Sequence, residues 1–151
     1  MLTQGEVAVV CLSATEGSAI REVSEAVATA GAGLEGDRYC TFGASPETQL
    51  TLIQAEAIDE FNEAFSTDLP VTAFRRNVIT RGIDLNVLEG RTFTVGAVQL
   101  RGVELCEPCA YLQNLLEIPE LVKQFTHKGG LRCEIVAGGI IRPGDIVSPD
   151  E

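Results

Sequence analysis

The chain has 151 residues, 45% hydrophobic and 22% charged, the composition of a folded domain and not of a disordered one. Its 22 acidic residues against 11 Lys and Arg give a net charge of -11, which repels phosphate backbones and anionic lipid and argues against nucleic acid as a partner. The apolar stretch Val7 to Leu12 is too short to span a membrane, and Glu6 stands where a signal peptide would carry Lys or Arg.

A single domain over residues 1–151 is therefore expected, located in the cytoplasm and with no membrane partner. In chain order, Gly5 to Leu12 has the β-branched run of a buried strand, and residues 13–18 are loop chemistry. Residues 20–30 fit a helix or short strands equally well and stay unassigned. Gly31, Gly33 and Gly36 crowd into six positions, which points to left-handed backbone or a close approach. They match the G-x-G-x-x-G string of a dinucleotide loop, but Asp37 to Gly43 does not look like an amphipathic helix and no βαβ unit is visible, so that reading is set aside.

Leu50 to Ile53 reads as a strand leading into a helix from about Ala55 to Phe65, with Ile58, Phe61 and Phe65 on one stripe and Glu56, Asp59, Glu60 and Glu63 outside it. Asn77 to Thr80, Arg91 to Val95 and Val98 to Leu105 read as strands separated by glycine turns. Pro108 suits the first position of a helix whose apolar face is Leu112, Leu115 and Leu116; Pro119 interrupts it, so a second short helix is expected from about Glu120 to Phe125. Leu131 to Val136 is the last clear strand, ahead of Gly138-Gly139 and the turn Pro143-Gly144-Asp145. Many short strands with few helices indicate a mainly β, α+β domain, a mixed β-barrel.

Five cysteines, Cys11, Cys40, Cys106, Cys109 and Cys133, make an odd set in a domain that needs no disulfides, and reduced thiols are expected. Cys11 reads as a small buried hydrophobe. Cys106-Glu107-Pro108-Cys109 is the sharpest local feature, a C-x-x-C where a strand gives way to a helix. The positive end of a helix favours thiolate over thiol, so Cys109 is the expected reactive cysteine, with Cys106 as support or resolving thiol. Two buried cysteines without chemistry is the plainer alternative. A thioredoxin-like dithiol does not fit the long β surroundings. Zinc on Cys106, Cys109, His127 and Cys133 has the right number of ligands but lacks the paired short spacings, and Cys133 lies in an apolar strand where it can face the core.

The ordered strings Gly33-Leu34-Glu35-Gly36-Asp37-Arg38, Phe74-Arg75-Arg76-Asn77-Val78-Ile79-Thr80-Arg81-Gly82, Leu88-Glu89-Gly90, Cys106-Glu107-Pro108-Cys109, Lys128-Gly129-Gly130-Leu131-Arg132 and Gly138-Gly139-Ile140-Ile141-Arg142-Pro143-Gly144-Asp145 span nearly the whole chain. In order and spacing they resemble MOSC domains, the C-terminal module of molybdenum cofactor sulfurases. The resemblance implies a β-rich barrel that handles the molybdenum cofactor (molybdopterin), with its key cysteine at Cys109. That cysteine is the metal ligand in reductase relatives and a proposed persulfide carrier in sulfurase relatives.

The same resemblance places Arg75 and Asn77 on an Arg-x-Asn that lines the cofactor site. A guanidinium suits phosphate, and an amide suits pterin edges. Asp37 and Arg132 are further cofactor-binding candidates, each equally able to form a structural ion pair. His127, ahead of a glycine pair, is a candidate proton donor or a plain loop histidine. Three functions remain: a reductase of N-hydroxylated compounds at Cys109-ligated molybdenum, a module carrying sulfur as a Cys109 persulfide without turnover of its own, and a structural zinc or interaction domain. The first needs a separate electron-donor protein, since no flavin or iron–sulfur motif is visible, and the second needs a sulfur donor.

Overall fold

The computed structural model describes residues 3–15, 19–106 and 129–150. Eleven strands occur among them: β1 (Gly5–Leu12), β2 (Arg21–Val23), β3 (Ala26–Thr29), β4 (Gly33–Leu34), β5 (Leu50–Gln54), β6 (Val78–Arg81), β7 (Thr92–Val95), β8 (Val98–Leu105), β9 (Leu131–Ala137), β10 (Gly139–Ile141) and β11 (Ile146–Pro149). One α-helix, α1 (Ala55–Phe65), joins β5 to β6. Pairing runs β11-β7-β8-β9-β5-β6-β1, and β11 also pairs with β1, so seven strands close into a barrel with β2 appended to β1. The expected mixed barrel is the observed one.

Alternation along the strands sends one set of side chains inward. Val7, Val10, Leu50, Leu52, Val78, Phe93, Val95, Val98, Leu100, Leu131, Cys133, Ile135 and Val147 fill the barrel. β5 and β6 are its only parallel neighbours among the described pairs, and parallel neighbours need a crossover connection. Here α1 supplies it. The run Leu50 to Arg81 is thus a βαβ unit, which corrects the expectation that none is present; it lies downstream of the glycine-rich loop and has no bearing on it.

α1 covers the outer wall of the barrel. Ala55, Ala57, Ile58 and Phe61 pack on Ile53, Ile79, Cys11 and Phe74 in a second core, with the Phe74 ring edge-on to Phe61 at 5.4 Å. The helix ends where Ser66 turns left-handed (φ 53) and its N–H caps the carbonyls of Asn62 and Glu63. A short 3-10 turn, Val71–Phe74, then leads into β6.

The unassigned residues 20–30 form β2 and β3, and β3 joins β4 and β10 in a small second sheet. Gly31, Gly33 and Gly36 all have positive φ, at 74, 138 and 85°, as their crowding predicts. The two helices expected after Pro108 fall outside the described residues.

Candidate functional site

β6 begins one residue late relative to the sequence pattern, because Asn77 is taken up by a hydrogen-bond hub. Its Nδ2 donates to the Cys11 carbonyl and to Asp37 Oδ1, each at 3.3 Å. Its Oδ1 accepts from the Thr51 N–H at 3.1 Å and the Thr51 hydroxyl at 3.2 Å. Two donors and two lone pairs are the whole capacity of an amide, so the Asn77 side chain is saturated by the protein. Its main chain adds three more ties, the N–H donating to the Thr51 carbonyl and hydroxyl oxygens and the carbonyl accepting from Cys11 N–H. One buried residue thereby joins the end of β1 to the start of β5.

Asp37 stands on the other side of this hub. Its Oδ1 also accepts from Ser13 N–H at 3.1 Å and Arg38 Nη1 at 3.3 Å, and its Oδ2 accepts from Tyr39 N–H at 3.4 Å. Gly36, left-handed at φ 85, turns the chain so that the carboxylate faces inward. The Asp37 and Arg38 side chains are 3% and 9% exposed, so this is an enclosed ion pair, and the Arg38 guanidinium also lies 4.5 Å from the centre of the Tyr39 ring.

Arg75 sits between two buried anchors, Phe74 and Asn77, in a left-handed conformation (φ 58) with its N–H on the Thr72 carbonyl. Such a conformation is uncommon for a residue with a side chain and persists where its surroundings impose it. Next to it, Arg76 Nε donates to the Gly129 carbonyl at 2.9 Å. Beyond Gly129, the Gly130 carbonyl accepts from Cys106 N–H at 2.7 Å. Gly130 is left-handed (φ 110), and a Cβ there would overlap the Leu52 carbonyl oxygen, so only glycine lets the chain enter β9 so close to β5. Arg76 thus ties the Arg75–Asn77 turn to Gly129, next to the Gly130 carbonyl bonded to Cys106.

Arg132 is level with Thr51 across the β5–β9 ladder, so it occupies the same row as Asn77. Its Nε lies 3.8 Å from Glu104 and its Nη1 donates to the Glu47 carbonyl at 3.5 Å. Of the sequence-derived candidates, then, Asp37 and Asn77 meet directly, Arg75 flanks them, and Arg132 is one strand further along, paired to an acid. Cys109 and His127 lie outside the described residues. Cys106 is fully enclosed at the end of β8, and Cys133 points into the barrel, where desolvation raises its thiol well above the ordinary range. Among the described residues no three His, Cys, Asp or Glu side chains are grouped to hold a metal.

Thr51, Ser13 and Arg38 complete the hub and were not singled out from the sequence. The adjacency of Asp37 and Arg38 was a usable signal for an ion pair. Nothing marks Thr51, an ordinary strand residue, or Ser13, an ordinary loop residue.

No helix among the described residues is long and apolar enough to cross a membrane. No curated protein matches the chain. Solved structures do: YuaD from Bacillus subtilis, 16% identical over 97% of this chain and 96% of that one, with a TM-score of 0.82. YiiM from Geobacillus stearothermophilus is 15% identical over 99% and 76%, with a TM-score of 0.79, and YiiM from Escherichia coli is 20% identical over 99% and 70%, with a TM-score of 0.75. At these identities the likeness is one of fold. Residues 40–148 match the MOSC domain, which takes in most of the barrel and the Arg75–Asn77 turn, and the chain belongs to the MOSC domain family.

Proposed function

We propose that this protein binds the molybdenum cofactor and reduces N-hydroxylated compounds, with Cys109 as the thiolate ligand of molybdenum. The observation that carries the reading is the Arg76–Gly129 hydrogen bond, which sets the Arg75–Asn77 turn one residue from Gly130, whose carbonyl accepts from Cys106 N–H. In sequence, Cys109 follows by three residues Cys106, whose N–H donates to the Gly130 carbonyl.

The residues present fit an anionic, hydrogen-bonding group. Arg75 and Arg76 stand together in a chain carrying twice as many acids as bases. A guanidinium aligns two N–H donors on a phosphate, so Arg75 is assigned to the cofactor phosphate and Arg132 to a second contact along the same row. Asn77 and Asp37 frame the site. When bound, the molybdenum centre supplies two-electron removal of oxygen from the substrate. His127 is assigned to deliver one of the two protons that leave with the oxygen as water, since an imidazole N–H can donate one. Electrons come from a separate donor protein.

The test is metal and pterin analysis of the protein purified from a host that makes the cofactor, with Cys109→Ala alongside. Molybdenum and pterin in the wild type, with molybdenum lost from the variant, is the expected result. Zinc alone in both proteins contradicts the reading. A thiol-trappable sulfur on Cys109 without molybdenum replaces it with sulfur carriage by a persulfide.

A further inference from the structure

The resemblance to cofactor-lining Arg-x-Asn elements assigns Asn77 a direct contact with a ligand. The geometry points to a different role: we infer that Asn77 is a positioning residue that acts through Arg75 and makes no ligand contact of its own. The inference rests on the cofactor reading for the identity of the ligand, but not for the placement of Arg75.

All four hydrogen-bonding positions of the Asn77 amide are taken, by the Cys11 carbonyl, Asp37, and the N–H and hydroxyl of Thr51. The side chain is buried, so turning it toward a ligand would strip a donor from the buried Cys11 carbonyl and Asp37 carboxylate. What Asn77 does instead is hold one end of a short bend. Phe74, packed edge-on against Phe61 of α1, holds the other end. Between them Arg75 takes the left-handed turn, at φ 58. Its backbone has little freedom left once both anchors are fixed, so the direction in which the Arg75 side chain leaves the backbone is set by Asn77 and Phe74 together.

A double-mutant cycle separates positioning from contact. Pterin retained per chain is measured by fluorescence after oxidation for wild type, Arg75→Ala, Asn77→Ala and the double variant. Each single change is expected to lower retention about tenfold, the scale of one charge-assisted hydrogen bond. The double variant is expected to fall no lower than Arg75→Ala alone. A double variant at about one hundredth of wild type, the product of the two singles, would mean that Asn77 binds independently and overturns the inference.

Hydrogen exchange at the Arg75 amide, which is bonded to the Thr72 carbonyl, reads the placement without any ligand. Exchange there is expected to quicken about tenfold in Asn77→Ala while α1 amides keep their rates. Thr51→Val, which removes one hydroxyl from the hub and keeps the side chain's shape, is expected to move it the same way by less. Unchanged exchange at Arg75 in both variants overturns the inference. Wild type purified without pterin would sink the cofactor reading only, and the exchange rates then decide the role of Asn77.

Discussion

The Asn77 amide donates to the Asp37 carboxylate across 3.3 Å, and this contact joins the glycine-rich loop to the start of β6 over a separation of 40 residues. Asn77 lies within the residues that match the MOSC domain and Asp37 lies just ahead of them, and the fold brings the two together as a buried pair. Their first duty is to the protein: between them they bind main-chain groups of Cys11, Ser13, Tyr39 and Thr51.

Removing the carboxylate is therefore expected to be costly. Asp37→Ala strands the enclosed Arg38 guanidinium and takes the acceptor from the Ser13 N–H and from one of the two Asn77 Nδ2 hydrogens. Breaking a buried charge pair from one side costs about 3 kcal/mol. Urea unfolding of Asp37→Ala should show a loss of that size, and a loss below about 1 kcal/mol would mean the pair is not enclosed.

Thr80 is expected to behave in the opposite way. It is fully buried, level with Val7 on β1 and Gln54 on β5, and its hydroxyl has no hydrogen-bond partner among the described residues. A lone buried hydroxyl carries its desolvation cost with no return. Thr80→Val keeps the shape and removes the polar atom, so stability should rise by about 1 kcal/mol, read as a melting temperature roughly 2–4 °C higher. A lower melting temperature would contradict the assignment.

The thiols give a pH dependence with a definite sign. Burial, and secondarily the charge of Glu22, push the Cys11 thiol from the ordinary 9.0 up to about 11. The unfolded chain therefore loses this proton before the folded one does. The contribution of this thiol to stability is complete below pH 9.0 and declines as pH rises from there to about 11. Unfolding measured across that window should show the decline in the wild type and a shallower one in Cys11→Ala.

Labelling with iodoacetamide at neutral pH separates the reactive thiol from the rest. Cys11, Cys106 and Cys133 are enclosed. Cys40 is partly accessible, but desolvation and the charges of Glu35 and Asp37 hold its thiol above the ordinary value. The sequence pattern after Pro108 predicts a helix start at Cys109, where a thiol is favoured as thiolate, so Cys109 should be alkylated first, by about tenfold or more over Cys40. Equal rates for the two would remove the local reason for choosing Cys109.

How much of the fold was legible in the sequence depended on how local the cause was. β1 and β8 begin and end where the sequence pattern puts them, because an apolar, β-branched run in β1 and an apolar–polar alternation in β8, each bounded by turn residues, are complete signals in themselves. α1 likewise follows from the stripe of Ile58, Phe61 and Phe65. The strand that closes the barrel, Ile146–Pro149, has four residues and ends in proline; its identity comes from its partners β1 and β7, not from its own pattern. β2 and β3 are too short for a period to show. The hub was illegible for the same reason: Asn77 takes its partners from 26, 40 and 66 residues away, and a side chain's suitability for a ligand says nothing about whether the fold has already used it.

Whether the Cys109 sulfur is bonded to molybdenum decides the proposed function. X-ray absorption at the molybdenum edge counts sulfur neighbours directly, and the pair to compare is wild type and Cys109→Ser, both purified from a cofactor-producing host. One sulfur neighbour fewer is expected in the variant, replaced by oxygen. An identical sulfur shell in the two proteins, or a wild type that carries no molybdenum, would contradict the bond.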